Sequence, residues 1–276
     1  MLTIPTNIAS LEAQKNLGRN QAALMQSFNR LSSGFRINSA ADDAAGLAIS
    51  ESMKSQIRSY VVSERNANDA ISMVQTAEGA LGEVQDIAAR MRELAVQASN
   101  GSFTAVDRGY MDTEYGQLKS EITRIQGSAK FNGKSLLQTA ASSIVFQVGL
   151  NNTAADHLTV TFGGFSLTSL VASTNTLGGS TASSALGALS VIDGAMTSIS
   201  TQRAKYGASM NRLGIVTSSI QTMRLNITAA NSRIRDVDVA EETSMLARNQ
   251  VLAQAGVSVL SQANQLPNMA MNLLGR

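Results

Sequence analysis

Apolar positions in the last third of the chain recur in steps of three and four. Leu189, Ile192, Met196, Ile199, Tyr206, Met210, Leu213, Ile220, Ile227 and Ile234 share one helical face, while the skipped heptad positions Arg203, Thr217, Arg224 and Asn231 are polar. No proline interrupts the run before Pro267. Ser183 to Val237 therefore predicts a single rod, on the order of 80 Å long at about 1.5 Å per residue. A stripe of that length needs a partner along its whole course, and a compact core cannot supply one.

The other end of the chain offers the partner. Ile4, Ile8 and Leu11, then after a phase slip Leu17, Leu24, Phe28 and Leu31, predict an amphipathic helix starting after Pro5. Ser32-Ser33-Gly34 ends it, with Gly34 suited to a left-handed cap. Ser39-Ala40-Ala41-Asp42 reads as a capping box that starts a second, long helix. Its stripe runs through Ile49, Met53, Ile57, Tyr60, Ala67, Ile71 and Val74. After a second slip it continues as Leu81, Val84, Ala88, Met91 and Ala95, to a stop at Asn100-Gly101. Thr104 to Asp107 caps a third helix carrying Tyr110, Met111, Leu118, Ile122 and Ile125, and Asn132-Gly133 marks a turn.

The period then becomes two. Ile144, Phe146 and Val148, and later Leu158, Val160 and Phe162, alternate with other residues and predict a β-hairpin. Gly163 to Ser184 is rich in Gly, Ser and Thr, carries no charge, and reads as an expendable surface excursion. After the rod, Asp236-Val237-Asp238 precedes a last helix with Leu252, Ala255, Val259, Leu266, Met269 and Leu273 as its seam. Pro267 inside that stripe predicts a kink or restart.

The expected fold is thus mainly α: long antiparallel, coiled-coil-like helices from the two ends of the chain, with a small β-hairpin between. Residues 1–39 with 237–276 form one expected layer of terminal helices. Residues 40–162 with 183–236 form a helical bundle with the hairpin, and 163–182 a short variable segment. The outermost helices have narrow stripes and few opposite charges, so alone they are marginal. They are expected to order when many chains pack together.

Composition removes several function classes. Cysteine is absent, which excludes disulfides and thiolate metal sites, and the single histidine, His157, excludes sites that need two. Tryptophan is absent and aromatics reach only 4%, too few for a base-stacking surface. The net charge of +2 is spread among both signs, which argues against nucleic acid. No eighteen-residue apolar run suggests a membrane span, and the first residues lack the pattern of a secretory signal. Asp42-Asp43 and Glu241-Glu242 are adjacent acids at helix starts, where carboxylates stabilise the dipole, and are read as structural rather than catalytic. No cofactor is expected.

Several stretches resemble the bacterial flagellins, the subunits of the flagellar filament. Asn29 to Ser50 (NRLSSGFRINSAADDAAGLAIS), Arg65 to Leu81 (RNANDAISMVQTAEGAL), Arg92 to Gly101 (RELAVQASNG) and Phe131-Asn132-Gly133 carry the likeness at one end. Ser232 to Asp238 (SRIRDVD) and Gln254 to Pro267 (QAGVSVLSQANQLP) carry it at the other. In this order, across about 200 residues, they are specific. The resemblance implies a structural, non-enzymatic protein that leaves the cell by the flagellar type III route and assembles into a homopolymer used for swimming. It implies as partners an export chaperone at the C-terminal helix, a filament cap and hook-associated proteins, and as a candidate a host Toll-like receptor, but no nucleic acid or membrane. With only 163–182 where many relatives carry large outer domains, this would be a minimal form.

The resemblance also points to residues. Arg90, Leu94 and Glu114 match positions gripped by the flagellin-sensing Toll-like receptor, against the plainer reading of contacts between subunits. Ile4, Ile8, Leu11, Leu24, Phe28, Leu31, Leu252, Val259, Leu266, Met269 and Leu273 are the expected polymer seam. Ser166, Thr168, Ser169, Ser173, Thr174 and Thr176 are candidate acceptors of O-linked sugars. Two other functions stay open: a hook–filament junction protein, and a secreted helical ligand that binds a receptor as a monomer.

Overall fold

The computed structural model describes residues 6–164, 167–172, 174–178 and 182–274, without the side chains of 168–169 and 266–274. The chain is mainly helical, as the periodicity predicts. Helices α1 (Ile8–Ser33), α2 (Ala44–Ala98) and α3 (Ala105–Ser128) precede four short strands, and α4 (Thr168–Val171), α5 (Ser183–Arg235) and α6 (Val239–Leu274) complete the chain. Packing divides it into two compact units, residues 1–57 with 225–276 and residues 58–224. The division falls inside α2 and α5, not at the links near 39 and 237. The reason is side-chain burial, because the contiguous core begins at Ala67 and ends at Ile220.

In the larger unit α2 buries Ala67, Ala70, Val74, Ala77, Leu81, Val84, Ala88, Met91, Ala95 and Ala98, in steps of three and four. From α5, Ile199, Tyr206, Leu213 and Ile220 answer at sevenfold spacing. Alanines dominate one face and bulkier residues the other, so the seam stays thin. The polar seam positions do not break it. Arg203 reaches Glu78 at 2.6 Å and Gln85 at 2.6 Å, and Arg224 reaches Glu64 at 2.6 Å. Their stems cover the stripe while their heads pair with acceptors on α2.

The hairpin forms in the expected place. Strands β1 (Lys130–Phe131) and β2 (Lys134–Ser135) meet at a tight turn whose Asn132 and Gly133 both have positive φ, 47° and 78°. Strands β3 (Ser142–Gln147) and β4 (His157–Phe162) pair antiparallel with Ile144 opposite Val160. Leu158, Val160 and Phe162 are buried while Thr159 and Thr161 are exposed, so one face rests on the helices. Asn66 and Ser63 of α2 donate to the Gln147 and Gly149 carbonyls, fixing the hairpin end on the helix. At Gly149 a Cβ would collide with the Asp156 side chain, which is why glycine stands there.

Three expectations are corrected. The segment between β4 and α5 is not a loose excursion: Leu167, Leu170 and Leu177 are fully buried in the core. Helix α3 holds it with polar bonds. Asp112 accepts the Leu177 N–H at 2.6 Å, Lys119 donates to the Ala172 and Asn175 carbonyls, and Asn175 donates to the Tyr115 hydroxyl at 2.8 Å. Second, α2 starts at Ala44 rather than directly after Ser39. Asp42 closes a preceding turn by accepting the Ser39 N–H and hydroxyl, and the carboxylate that caps the helix, through Gly46 N–H, belongs to Asp43. Third, α6 continues past Pro267 to Leu274 without a restart. The caps at Gly34 (φ 74°) and at Thr104, with its reciprocal Asp107, form as expected.

Candidate assembly surfaces

Helices α1 and α6 pair side by side in the smaller unit, and what lies between them is five leucines set among small and polar residues. On α1 the inward positions are Ser10, Ala13, Leu17, Asn20, Leu24, Ser27 and Leu31. On α6 they are Glu242, Leu246, Asn249, Ala253, Gly256, Leu260 and Ala263. Both series step by three and four, the signature of a coiled-coil seam. Gly256 permits a close approach, since a Cβ there would sit 3.3 Å from a Leu17 methyl.

Polar bonds fix the register of this seam. Asn7 caps α1 through Ser10 N–H and donates to the Ala263 carbonyl at 2.8 Å, and the Ser10 hydroxyl donates to Asn264 at 2.7 Å. At the other end Arg30 lies 3.6 Å from Glu242, whose side chain is 7% exposed. The link after α1 is tied down as well. Arg36 N–H donates to the Arg235 carbonyl, Arg235 pairs with Glu51, and its guanidinium stacks over the Phe35 ring at 4.6 Å.

Many other large apolar side chains of the pair point the other way. Ile8, Leu11, Met25 and Phe28 on α1 are exposed, as are Val239, Met245, Val251, Leu252, Val257 and Val259 on α6. Five residues of the expected polymer seam therefore lie outside the seam of the pair. Ile8, Leu11, Phe28, Leu252 and Val259 do not meet inside it; Leu24 and Leu31 are half-buried. A shift of about 100° separates neighbouring positions on a helix. An apolar stripe with a phase slip therefore fits two faces, and sequence alone assigned both to one. Ile4 lies outside the described residues, and so do the side chains of Leu266, Met269 and Leu273.

A second surface lies where α2, α3 and α5 meet. Arg90 donates to Glu114 on α3 at 2.9 Å and to Glu93 at 2.9 Å, and those bonds, Glu114 first, raise its already high pKa. Arg92 donates to Asp193 on α5 at 2.7 Å. Beside these ion pairs a shallow cavity of about 520 Å³ is lined by Ala89, Arg92, Glu93, Val96, Gln97 and Met196. Arg90 and Glu114 are thus exposed and adjacent. Leu94 is not on their face: it is 3% exposed and belongs to the α2 core stripe with Met91 and Ala95. An i, i+4 spacing makes two residues near neighbours on a helix without making both solvent-facing.

Thr174 is exposed and Thr176 half-buried. Ser166 and Ser173 lie outside the described residues, as do the side chains of Thr168 and Ser169. Asp42 and Asp43 are occupied as turn and cap acceptors, and hydrogen bonds from Ser39 lower the Asp42 pKa. No helix among the described residues is long and apolar enough to cross a membrane.

Family models match both halves of this architecture. The bacterial flagellin N-terminal helical region matches residues 4–142, and the C-terminal helical region residues 189–274. The chain belongs to the bacterial flagellin family. A flagellin of Halalkalibacterium halodurans is 40% identical over 273 residues, covering 99% of this chain and all of the relative. A flagellin of Bacillus subtilis is also 40% identical, over 304 residues, with the same coverage. A crystal structure of Bacillus cereus flagellin aligns with a TM-score of 0.49 at 34% identity, over 60% of this chain and 94% of that one. The chain is a structural, non-enzymatic subunit of the extracellular flagellar filament that serves motility, without a large outer domain. That assignment stands over the junction-protein and monomeric-ligand readings.

Proposed function

We propose that the chain enters the filament through the outward faces of α1 and α6. Ile8, Leu11, Phe28, Leu252 and Val259 form the contact between copies, and Ile4, Leu266, Met269 and Leu273 extend it. Leu24 and Leu31 lie in the seam of the pair and hold the two helices together beneath that contact. The supporting observation is what the pair leaves uncovered: its seam holds five leucines among small and polar residues, while ten large apolar side chains on the described parts of the two helices face solvent. Apolar patches of this extent mark interaction surfaces. Before assembly the same exposed stripe on α6 suits an export chaperone, which keeps it from water during passage through the flagellar type III apparatus. Cap and hook-associated proteins meet the same ends at the two tips of the polymer.

On the second surface, Arg90 and Glu114 are the groups that a Toll-like receptor would touch, with Leu94 supporting them from the core. Thr174 is the exposed hydroxyl best placed for an O-linked sugar.

Seeded polymerisation of the full chain, followed by negative-stain microscopy, tests the main proposal. Leu11→Asp with Val259→Asp is expected to stop growth while leaving the helical content of residues 58–224 unchanged. Normal filaments from that double variant would overturn it.

A further inference from the structure

Met223 on α5 is exposed to 48%, and its sulfur accepts a hydrogen bond from the Tyr60 hydroxyl of α2 at 3.5 Å. The two side chains sit at the edge of a cavity of about 220 Å³, which Leu150, Val216 and Ile220 also line. A thioether is a weak acceptor, so the phenol of Tyr60 is spending its donor on a poor partner. An oxygen added to that sulfur would be a far better one.

We propose that Met223 is an oxidation site for two-electron oxidants of the peroxide class, and that Tyr60 is built to hold the sulfoxide. A sulfur lone pair attacks one oxygen of hydrogen peroxide, the O–O bond breaks, and proton transfer releases the second oxygen as water. The sulfur is oxidised by two electrons and the peroxide reduced by two. The new S–O oxygen lies one bond from the present acceptor, so a small rotation of the Tyr60 hydroxyl bonds it, and the adjoining cavity has room for one added atom.

The other methionines frame the contrast. Met25 and Met245 are exposed on α1 and α6, whereas Met73 and Met91 are buried in the core and sheltered from peroxide. Sulfoxide normally disrupts the packing around a methionine. At position 223 the α2–α5 contact keeps a hydrogen bond in both oxidation states. This inference concerns the larger unit and does not depend on how α1 and α6 assemble.

The test treats the full-length chain with hydrogen peroxide and quantifies each sulfoxide by peptide mass spectrometry, beside thermal unfolding before and after treatment. Met223 is expected to oxidise several-fold faster than Met73 and Met91. The fall in Tm on oxidation is expected to be larger in Tyr60→Phe than in the wild type, and the excess should vanish when Met223→Leu is added. Oxidation of Met223 no faster than that of Met73 and Met91 would overturn the site. An equal Tm loss in wild type and Tyr60→Phe would overturn the role of Tyr60.

Discussion

Met91 on α2 and Phe28 on α1 are large apolar side chains on long helices, yet Met91 is fully buried and Phe28 half exposed. The same contrast separates the two units as wholes. Residues 58–224 hold the contiguous core from Ala67 to Ile220. Among the described residues of the smaller unit, only Ile37 and Ala263 are buried apolar side chains, against twelve large apolar ones that are exposed. One unit has found its partner within the chain; the other presents its stripe outward. Burying half of those twelve at about 2 kcal/mol each gives about 12 kcal/mol. That is the order of the 4–15 kcal/mol association must overcome. The energetic logic of a subunit that is folded in its body and completed by its neighbours follows from that difference.

The largest expected effect breaks this contrast from the smaller unit's side. Phe28→Asp should abolish seeded polymerisation and leave the urea midpoint of the monomer's core unchanged, because Phe28 belongs to the smaller unit and the core to the larger. In the monomer, amide exchange should be fast along α1 and α6 and slow along the buried stripe of α2. Strong protection of α1 and α6 in isolated monomer would show the pair to be self-sufficient.

Next in size is Leu177→Ala, which attacks the larger unit through the segment that looks least like core. Its side chain is fully buried, so the loss should be about 2–5 kcal/mol in urea unfolding. A change within experimental error would return the segment to the status of a surface loop.

That segment marks where the sequence is readable and where it is not. Helices α2 and α5 and the hairpin announce themselves because most of their apolar residues repeat with the period of the element that buries them, whereas on α3 the same reading takes in the exposed Tyr110 and misses the buried Tyr115. Leu167, Leu170 and Leu177 sit among Gly, Ser and Thr with no sustained period, and the groups that hold them, Asp112, Tyr115 and Lys119, lie on another element more than fifty residues away. Nothing local signals such a pairing. Three leucines in a charge-free stretch were the available clue, since a true surface loop seldom needs them. Phe28 and Leu94 are hard to place from sequence for a related reason. Periodicity finds stripes, but which stripe meets the chain itself and which meets solvent depends on the partner helix. Both chain ends read as flagellin helices, and the family match agrees; the outward-facing apolar stripe of those helices appears only in three dimensions.

A smaller effect tests the core electrostatically. Tyr115 is buried and its pKa is pushed from 10 to about 12, by desolvation first, with the Asn175 bond opposing. A raised pKa in the folded state stabilises fully below the unfolded value of 10. That stabilisation fades as pH rises and is gone above about pH 12. At about 1.4 kcal/mol per pH unit the loss across that window is on the order of 3 kcal/mol. Burial moves Tyr206 in the same direction. Urea midpoints measured on either side of the window should fall with pH in the wild type and fall less in Tyr115→Phe. Equal slopes would mean that Tyr115 ionises as readily in the folded chain as in the unfolded one.

The smallest effect lies at the seam charges of the larger unit. Glu64 pairs with Arg224 at 2.6 Å and accepts from Gln221 at 2.8 Å, at a site where both ionic side chains keep part of their solvent. Partly solvated pairs of this kind contribute at most about 1 kcal/mol. Glu64→Gln keeps the shape and an acceptor while removing the charge, so its cost should stay within that bound and shrink as salt is added. A salt-independent cost of several kcal/mol would mean that the Glu64–Arg224 pair lies in a site drier than its exposure indicates. The thin alanine-rich seam would then be held by its charges as much as by its packing. A small, salt-sensitive cost would leave the apolar stripe from Ala67 to Ile220 as the feature that makes this unit independent of its neighbours.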